Sequence, residues 1–135
     1  MSAIDNALAK ANREVPECVA AGFVDMTTGM LLAVKRVDSH PCEVLDLVAA
    51  TSADLFQGTN VVAIERMFKK ARGLKDEGHH YFQEIIVFSD NLLHVFLRGK
   101  KNPDNVVVFV SRRSVNIGMM LSKARLMMPT LEAAL

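Results

Sequence analysis

His79 and His80, with His40 or Cys42 elsewhere in the chain, are the residues best suited to hold a metal. Zinc accepts imidazole and thiolate ligands, but it needs them to converge in a tetrahedron. Adjacent histidines in a polar stretch point apart, and no metal-site spacing supports them. No metal is therefore expected. Cys42 and a distant histidine could imitate a nucleophile–base pair. However, Cys42 lies beside an apolar stripe, where cysteine ordinarily serves as a small hydrophobe. Asp25 stands ahead of Thr27-Thr28-Gly29 and has the plainer task of stabilising that turn. Gly22, Gly29 and Gly118 fall into neither GxxxxGK[S/T] nor GxGxxG, so the glycines form no phosphate cradle. No catalytic residue and no cofactor are expected.

Arg98, Lys100, Lys101, Arg112 and Arg113 would make a basic rim around two neighbouring loops. With a formal charge of +1 overall, that rim reads as solvated surface rather than a nucleic-acid footprint. The chain has no Trp and one Tyr, which leaves little for bases to stack on. Half of its 135 residues are hydrophobic and 23% are charged, the balance of a folded chain. Its length fits one domain, residues 1–135. No apolar run approaches the roughly 20 residues that span a bilayer. The N-terminus lacks the basic-then-apolar pattern of a secretory signal. Cys18 and Cys42 are then most simply reduced thiols in a cytoplasm.

The elements that must position these residues follow from periodicity. Ser2 caps a helix reaching about Asn12, and Pro16 prevents its continuation. Cys18–Met26 and Met30–Lys35 read as a hairpin around Thr27-Thr28-Gly29. Pro41–Gln57 reads as a helix that stops at Gly58. A further helical stripe follows: Val61, Ile64, Met67, Phe68 and Ala71, with Asn60 as its cap. Pattern alone leaves one bent helix or two. Leu74–His80 is a polar loop. Tyr81–Phe88, Leu92–Arg98 and Val106–Val110 read as strands, the last covered on both faces. Ser114 is the expected cap of a final helix carrying Ile117, Met120, Leu121, Ala124, Met127, Met128 and Leu131. Pro129 should kink or end that helix. Its methionines are read as sheet-facing core, in preference to an adaptable or membrane-interfacial surface.

Pro41–Gln57 carries more apolar surface than one core can cover. On a helical wheel Glu43, Asp46, Asp54 and Gln57 crowd into one narrow sector together with Ala50. Leu45, Val48, Ala49, Ser52 and Phe56 form a stripe suited to a sheet beneath. Val44, Leu47, Thr51 and Leu55 form a second stripe, for which a partner surface is the natural destination. The order α-β-β-α-β-β-β-α, its middle helix whole or divided, implies one antiparallel sheet with helices on its faces.

The run Gly22-Phe23-Val24-Asp25-Met26-Thr27-Thr28-Gly29-Met30-Leu31-Leu32-Ala33 resembles the first hairpin of the Roadblock (dynein light-chain type) family. The resemblance continues through Asp46-Leu47-Val48-Ala49-Ala50 and Ala53. Gln83-Glu84-Ile85-Ile86-Val87, Leu92-Leu93-His94-Val95 and Asn116-Ile117-Gly118 extend it to the C-terminal helix. It covers roughly residues 18–128 and suggests a bacterial-type, single-domain member. The resemblance implies an α+β fold with a five-stranded antiparallel sheet in the order 2-1-5-4-3. The central helix would lie on one face and the terminal helices on the other. It further implies a homodimer in which central helices pack together and third strands meet. That places Val44, Leu47, Thr51 and Leu55 across a two-fold axis, with Tyr81, Gln83, Ile85 and Val87 near the strand edge. The Gln57–His80 connection is longer than the simplest members carry.

What the resemblance implies of function is a non-enzymatic module that binds and regulates, or scaffolds, a Ras-like small GTPase. Arg112 and Arg113 are its only faint candidates for an arginine finger. A structural adaptor holding a peptide independently of nucleotide is the alternative, and a small-molecule sensor is a third.

Overall fold

A computed structural model describes residues 2–36, 42–73, 80 and 82–134, with residues 42–48 as backbone alone. The first helix, α1 (Ala3–Glu14), begins where the Ser2 hydroxyl accepts from Asp5 N. It ends at Glu14 rather than Asn12, with Val15 as its C-cap ahead of Pro16. The hairpin follows as β1 (Cys18–Asp25) and β2 (Met30–Arg36). In its turn Asp25 accepts from Thr27 N at 3.0 Å and from Thr27 Oγ1 at 2.8 Å. Gly29 there has a φ of +70°, and a Cβ on it would lie 3.6 Å from Ala50 Cα. A left-handed turn pressed against a helix calls for glycine.

Helices α2 (Cys42–Gln57) and α3 (Thr59–Ala71) are two elements. Gly58 separates them: its N–H donates to Asp54 O, closing α2, while its carbonyl accepts from Val62 N, opening α3. Gly58 is thus the N-cap, and the cap expected of Asn60 is corrected. Gly73, with a φ of +69°, follows the end of α3. Pro41 and residues 74–79 of the expected loop lie outside the described residues.

The remaining elements are β3 (Glu84–Phe88), β4 (Leu92–Arg98), β5 (Asn105–Arg112) and α4 (Ile117–Ala133). Asn116, not Ser114, caps α4, its side chain accepting from Met119 N; the Ser114 hydroxyl instead donates to Glu17. Pro129 does not end the helix, which runs on to Ala133. Pro129 is exposed, so solvent can serve the carbonyl one turn back that lost its donor.

The strands form one antiparallel sheet in the order β2-β1-β5-β4-β3, as the resemblance implied. β5 lies at its centre with β1 and β4 on either side, and β1 and β5 are buried almost throughout. On one face, α1 and α4 cover Phe23, Leu93, Val95, Val107 and Phe109 with Leu8, Met120, Met127 and Leu131. On the other, Ala49 and Phe56 of α2 sit over Val24, Phe96, Val106, Val108 and Val110. At roughly 1.5–3 kcal/mol per large apolar side chain removed from water, these two layers supply most of the driving force.

Candidate protein-interaction surface

Helix α2 uses only part of its circumference on the sheet. Ala49, Ser52 and Phe56 are buried, as their spacing predicted, and the Ser52 hydroxyl donates to Ala49 O at 2.7 Å. Thr51 is exposed and Leu55 is 38% exposed, so the second stripe faces outward where it is described. Val44 and Leu47 lie on the same helix, but their side chains fall outside the described residues, as do those of Leu45 and Val48.

Strand β3 stands at one edge of the sheet. Its register puts Ile85 opposite Phe96 and Val87 opposite His94. Phe96 meets Phe56 of α2 edge to face, with ring centroids 6.4 Å apart. Ile85 and Val87 therefore share the α2 side of the sheet, Ile85 half-buried against that core and Val87 exposed. Gln83 is exposed just ahead of the strand, and Tyr81 is outside the described residues. The fold thus brings the described outward residues of α2 to the same side of the molecule as β3, whose outer edge pairs with no strand among the described residues.

β3 begins at Glu84, later than the expected Tyr81. Gln83 O still accepts from Arg98 N at 2.9 Å, but at Phe82 a pair of charged side chains claims the backbone. Glu65 of α3 accepts from Phe82 N at 3.0 Å, and its other oxygen lies 3.5 Å from His80 Nδ1. Arg98 of β4 donates from Nε to Phe82 O at 2.9 Å. Phe82 has both backbone groups occupied by side chains, so neither serves a strand ladder.

Arg98 corrects the expected solvated rim. It is 3% exposed, whereas Lys100, Lys101, Arg112 and Arg113 are exposed. Its guanidinium also donates to Gln57 Oε1, Phe56 O and Pro103 O, each at 3.0 Å, and lies 4.9 Å from the Phe56 ring centroid. Phe56 O belongs to the last turn of α2, where carbonyls lack helical partners and the dipole favours a cation. Burial pulls the Arg98 pKa down, opposed by Glu65 and Asp104. One side chain so joins α2, β4, the approach to β3 and the β4–β5 loop. The signal for it was the period of two: Leu92, His94, Phe96 and Arg98 alternate onto the α2 face.

The remaining candidates take structural places. Arg113 donates to Ser89 O and lies over the Phe88 ring at 5.0 Å. Cys18 is buried, its thiol 3.2 Å from Asn12 Oδ1, and burial pushes its pKa up to about 11. His40 and His79 lie outside the described residues, as does the side chain of Cys42. Among the described residues no group of three or more His, Cys, Asp or Glu side chains could hold a metal.

No family model matches the sequence, and no curated protein matches it significantly. The structure, however, is similar to that of the gliding protein MglB from Thermus thermophilus, with a TM-score of 0.70 and 19% identity over 98% of this chain and 87% of that one. An MglB with tetrameric arrangement gives 0.68 and 21% identity, covering 98% of this chain and 90% of that one. A Roadblock/LC7 domain from Streptomyces avermitilis gives 0.66 and 14% identity, covering 96% and 94%.

Proposed function

Proceeding from a Roadblock-type fold, we propose that this chain is a non-enzymatic, homodimeric interaction module of the cytoplasm that binds and regulates, or scaffolds, a Ras-like small GTPase. The observation that carries the reading is the outward stripe of α2 beside the open β3 edge. A helix whose inner stripe already fills the core keeps Thr51 and Leu55 outside it. Val44 and Leu47 continue that stripe in sequence, and Ile85 and Val87 flank it on the same side of the sheet.

Self-association, though not the face that carries it, accords with a structural neighbour described as having a tetrameric arrangement. Tyr81 and Gln83 complete the proposed edge contact. The GTPase half of the proposal comes from the resemblance to the family. A paired α2 platform would act by differential contact, stabilising one switch-loop conformation of the bound GTPase over another.

The test uses the wild type and Leu55→Asp. Analytical ultracentrifugation should show a dimer for the wild type. The variant should be a folded monomer, because its new charge would be buried unpaired in the contact. Immobilised wild type should then retain a small GTPase from a native lysate with a non-hydrolysable GTP analogue or with GDP, but not with both. An unchanged dimer in Leu55→Asp would refute the assigned face. A partner retained equally in both nucleotide states would mark the chain as an adaptor instead.

A further inference from the structure

The outer edge of β3 has a definite pattern of donors and acceptors. Gln83 O accepts from Arg98 N and Ser89 N donates to Leu92 O, so the odd-numbered residues from Gln83 to Ser89 bond to β4. Alternation then turns the N–H and C=O groups of Glu84, Ile86 and Phe88 away from β4. No strand among the described residues takes them. Both ends of this edge are closed. Upstream, Glu65 holds Phe82 N and Arg98 holds Phe82 O. Downstream, the chain turns back between Ser89 and Leu92. Edge strands are ordinarily guarded by lysine, proline or a bulge. β2, the opposite edge, carries Lys35 and Arg36 and pairs with β1 through a register shift at Phe23/Val24. Glu84–Phe88 has no such guard. Its one charge, Glu84, is turned to Arg125 of α4, and Ile86, Val87 and Phe88 are 37%, 38% and 53% exposed.

We propose that this edge takes the β3 strand of a second copy, antiparallel, in a register centred on Ile86. Such a seam deepens the homodimer reading, on which it rests, by naming the backbone groups and the register of the strand contact. A strand is the occupant because it presents donors and acceptors at the two-residue spacing of Glu84, Ile86 and Phe88. A copy of the same strand fits because the segment is self-complementary: Ile86 faces Ile86 on the two-fold axis, and each Glu84 faces Phe88 of the partner subunit. A parallel pairing in register would set Glu84 beside Glu84, where like charges repel. Arg113, which lies over the Phe88 ring at 5.0 Å, is brought by the antiparallel pairing toward Glu84 of the partner subunit. That carboxylate gives each oxygen one bond to Arg125 and keeps acceptor capacity for a further donor. The closed ends fix the register. Shifted one step toward the start of the strand, Phe88 would face Phe82, whose groups are already held; shifted the other way, Glu84 would face Asp90, in the turn. A seam of 5 residues is small beside the roughly 1,200–2,000 Å² of a stable interface. Ile85 and Val87 lie on the α2 side, so the same pairing sets both outward α2 stripes on one side of the joined sheet to supply the rest.

Oxidative cross-linking and sedimentation in a Cys42→Ser background test it. At a hydrogen-bonded antiparallel pair the Cα atoms are ~5.5 Å apart, within disulfide reach. Ile86→Cys should therefore oxidise to a covalent dimer, whereas Glu84→Cys, several residues from its own copy, should stay reduced. Ile86→Pro removes an N–H that points away from β4, a place where an edge strand tolerates proline. It should sediment as a monomer with an unchanged circular dichroism spectrum; cross-linking decides the matter if that variant does not fold. The pairing is overturned if Ile86→Cys stays reduced in a protein that sediments as a dimer, if Glu84→Cys cross-links in its place, or if folded Ile86→Pro remains dimeric. A dimer lost in Leu55→Asp together with a reduced Ile86→Cys would remove the seam alone and leave the α2 face standing. A wild type that sediments as a monomer would overturn the homodimer and the seam together.

Discussion

Replacing Arg98 with Met keeps much of the side-chain volume and removes every donor from a site where four acceptors converge. Phe56 O is buried with Arg98 and would be left unsatisfied, costing ~1–3 kcal/mol. Phe82 O, Gln57 Oε1 and Pro103 O are half-buried, so water can reach them, and their loss costs roughly 0.5 kcal/mol each. The contact with the Phe56 ring adds about 1 kcal/mol. Relief from holding a guanidinium out of water returns part of this sum. The expected net loss is about 3 kcal/mol, a large share of the roughly 5–15 kcal/mol that stabilises a domain. In urea, with a slope of ~1.5 kcal/mol per molar, the unfolding midpoint should fall by about 2 M at fixed protein concentration. Arg98→Lys should recover less than half, because an ammonium cannot spread its donors as a planar fork does. Amide exchange across β3 should quicken in both variants, since its approach has lost an anchor. A midpoint lowered by less than about 0.5 M in Arg98→Met would refute the reasoning, showing that water replaces the guanidinium at little cost.

Two further outcomes concern single groups. Glu84 pairs with Arg125 through two contacts, at 2.9 and 2.6 Å, which hold the carboxyl's pKa below its ordinary value of 4.5. The folded state therefore binds its proton less readily. The pair's contribution is present above the unfolded pKa and is lost as pH falls through the folded one. Glu84→Gln should be slightly less stable than wild type at neutral pH, and the gap should close in acid-dependent urea melts. Cys18, with its pKa raised to about 11 by burial, should resist thiol reagents at pH 8, where roughly one part in a thousand is thiolate. In a Cys42→Ser background, a disulfide reagent should titrate Cys18 only after denaturant is added. Rapid native labelling would contradict its buried placement.

Much of the architecture was legible because it followed from period and punctuation. The spacing of Ala49, Ser52 and Phe56 found the inner face of α2, and the all-apolar run of β5 announced burial on both sides. Gly58 and Gly29 marked real breaks. Other features depended on partners distant in sequence. The stripe on α3 was visible, but periodicity gives the existence of an apolar face and not its direction; Glu65 and its bond to Phe82 turn it outward. Arg98 looked like one of several rim cations, and only the packing of α2 across β4 makes it a buried node. The late start of β3 has the same origin. The exposed half of the α2 stripe was readable from excess alone, since one sheet cannot cover two faces of a helix.

The centre of the sheet has a consequence for how the chain is made. β1 is flanked by β2, its immediate successor, and by β5, where Val24 pairs with Val106. A ribosome adding about 5–20 residues per second needs several seconds to cover the distance between those two positions. Until then the hairpin carries an open, strongly apolar edge, with Cys18 to Val24 waiting for a strand not yet synthesised. The hairpin end is met by the late strand again at Ser111, whose hydroxyl donates to Pro16 O. Completion of the core is thus a closing step between an early strand and a late one, and the interval before it is when a nascent chain would most need shielding from its neighbours on the same polysome.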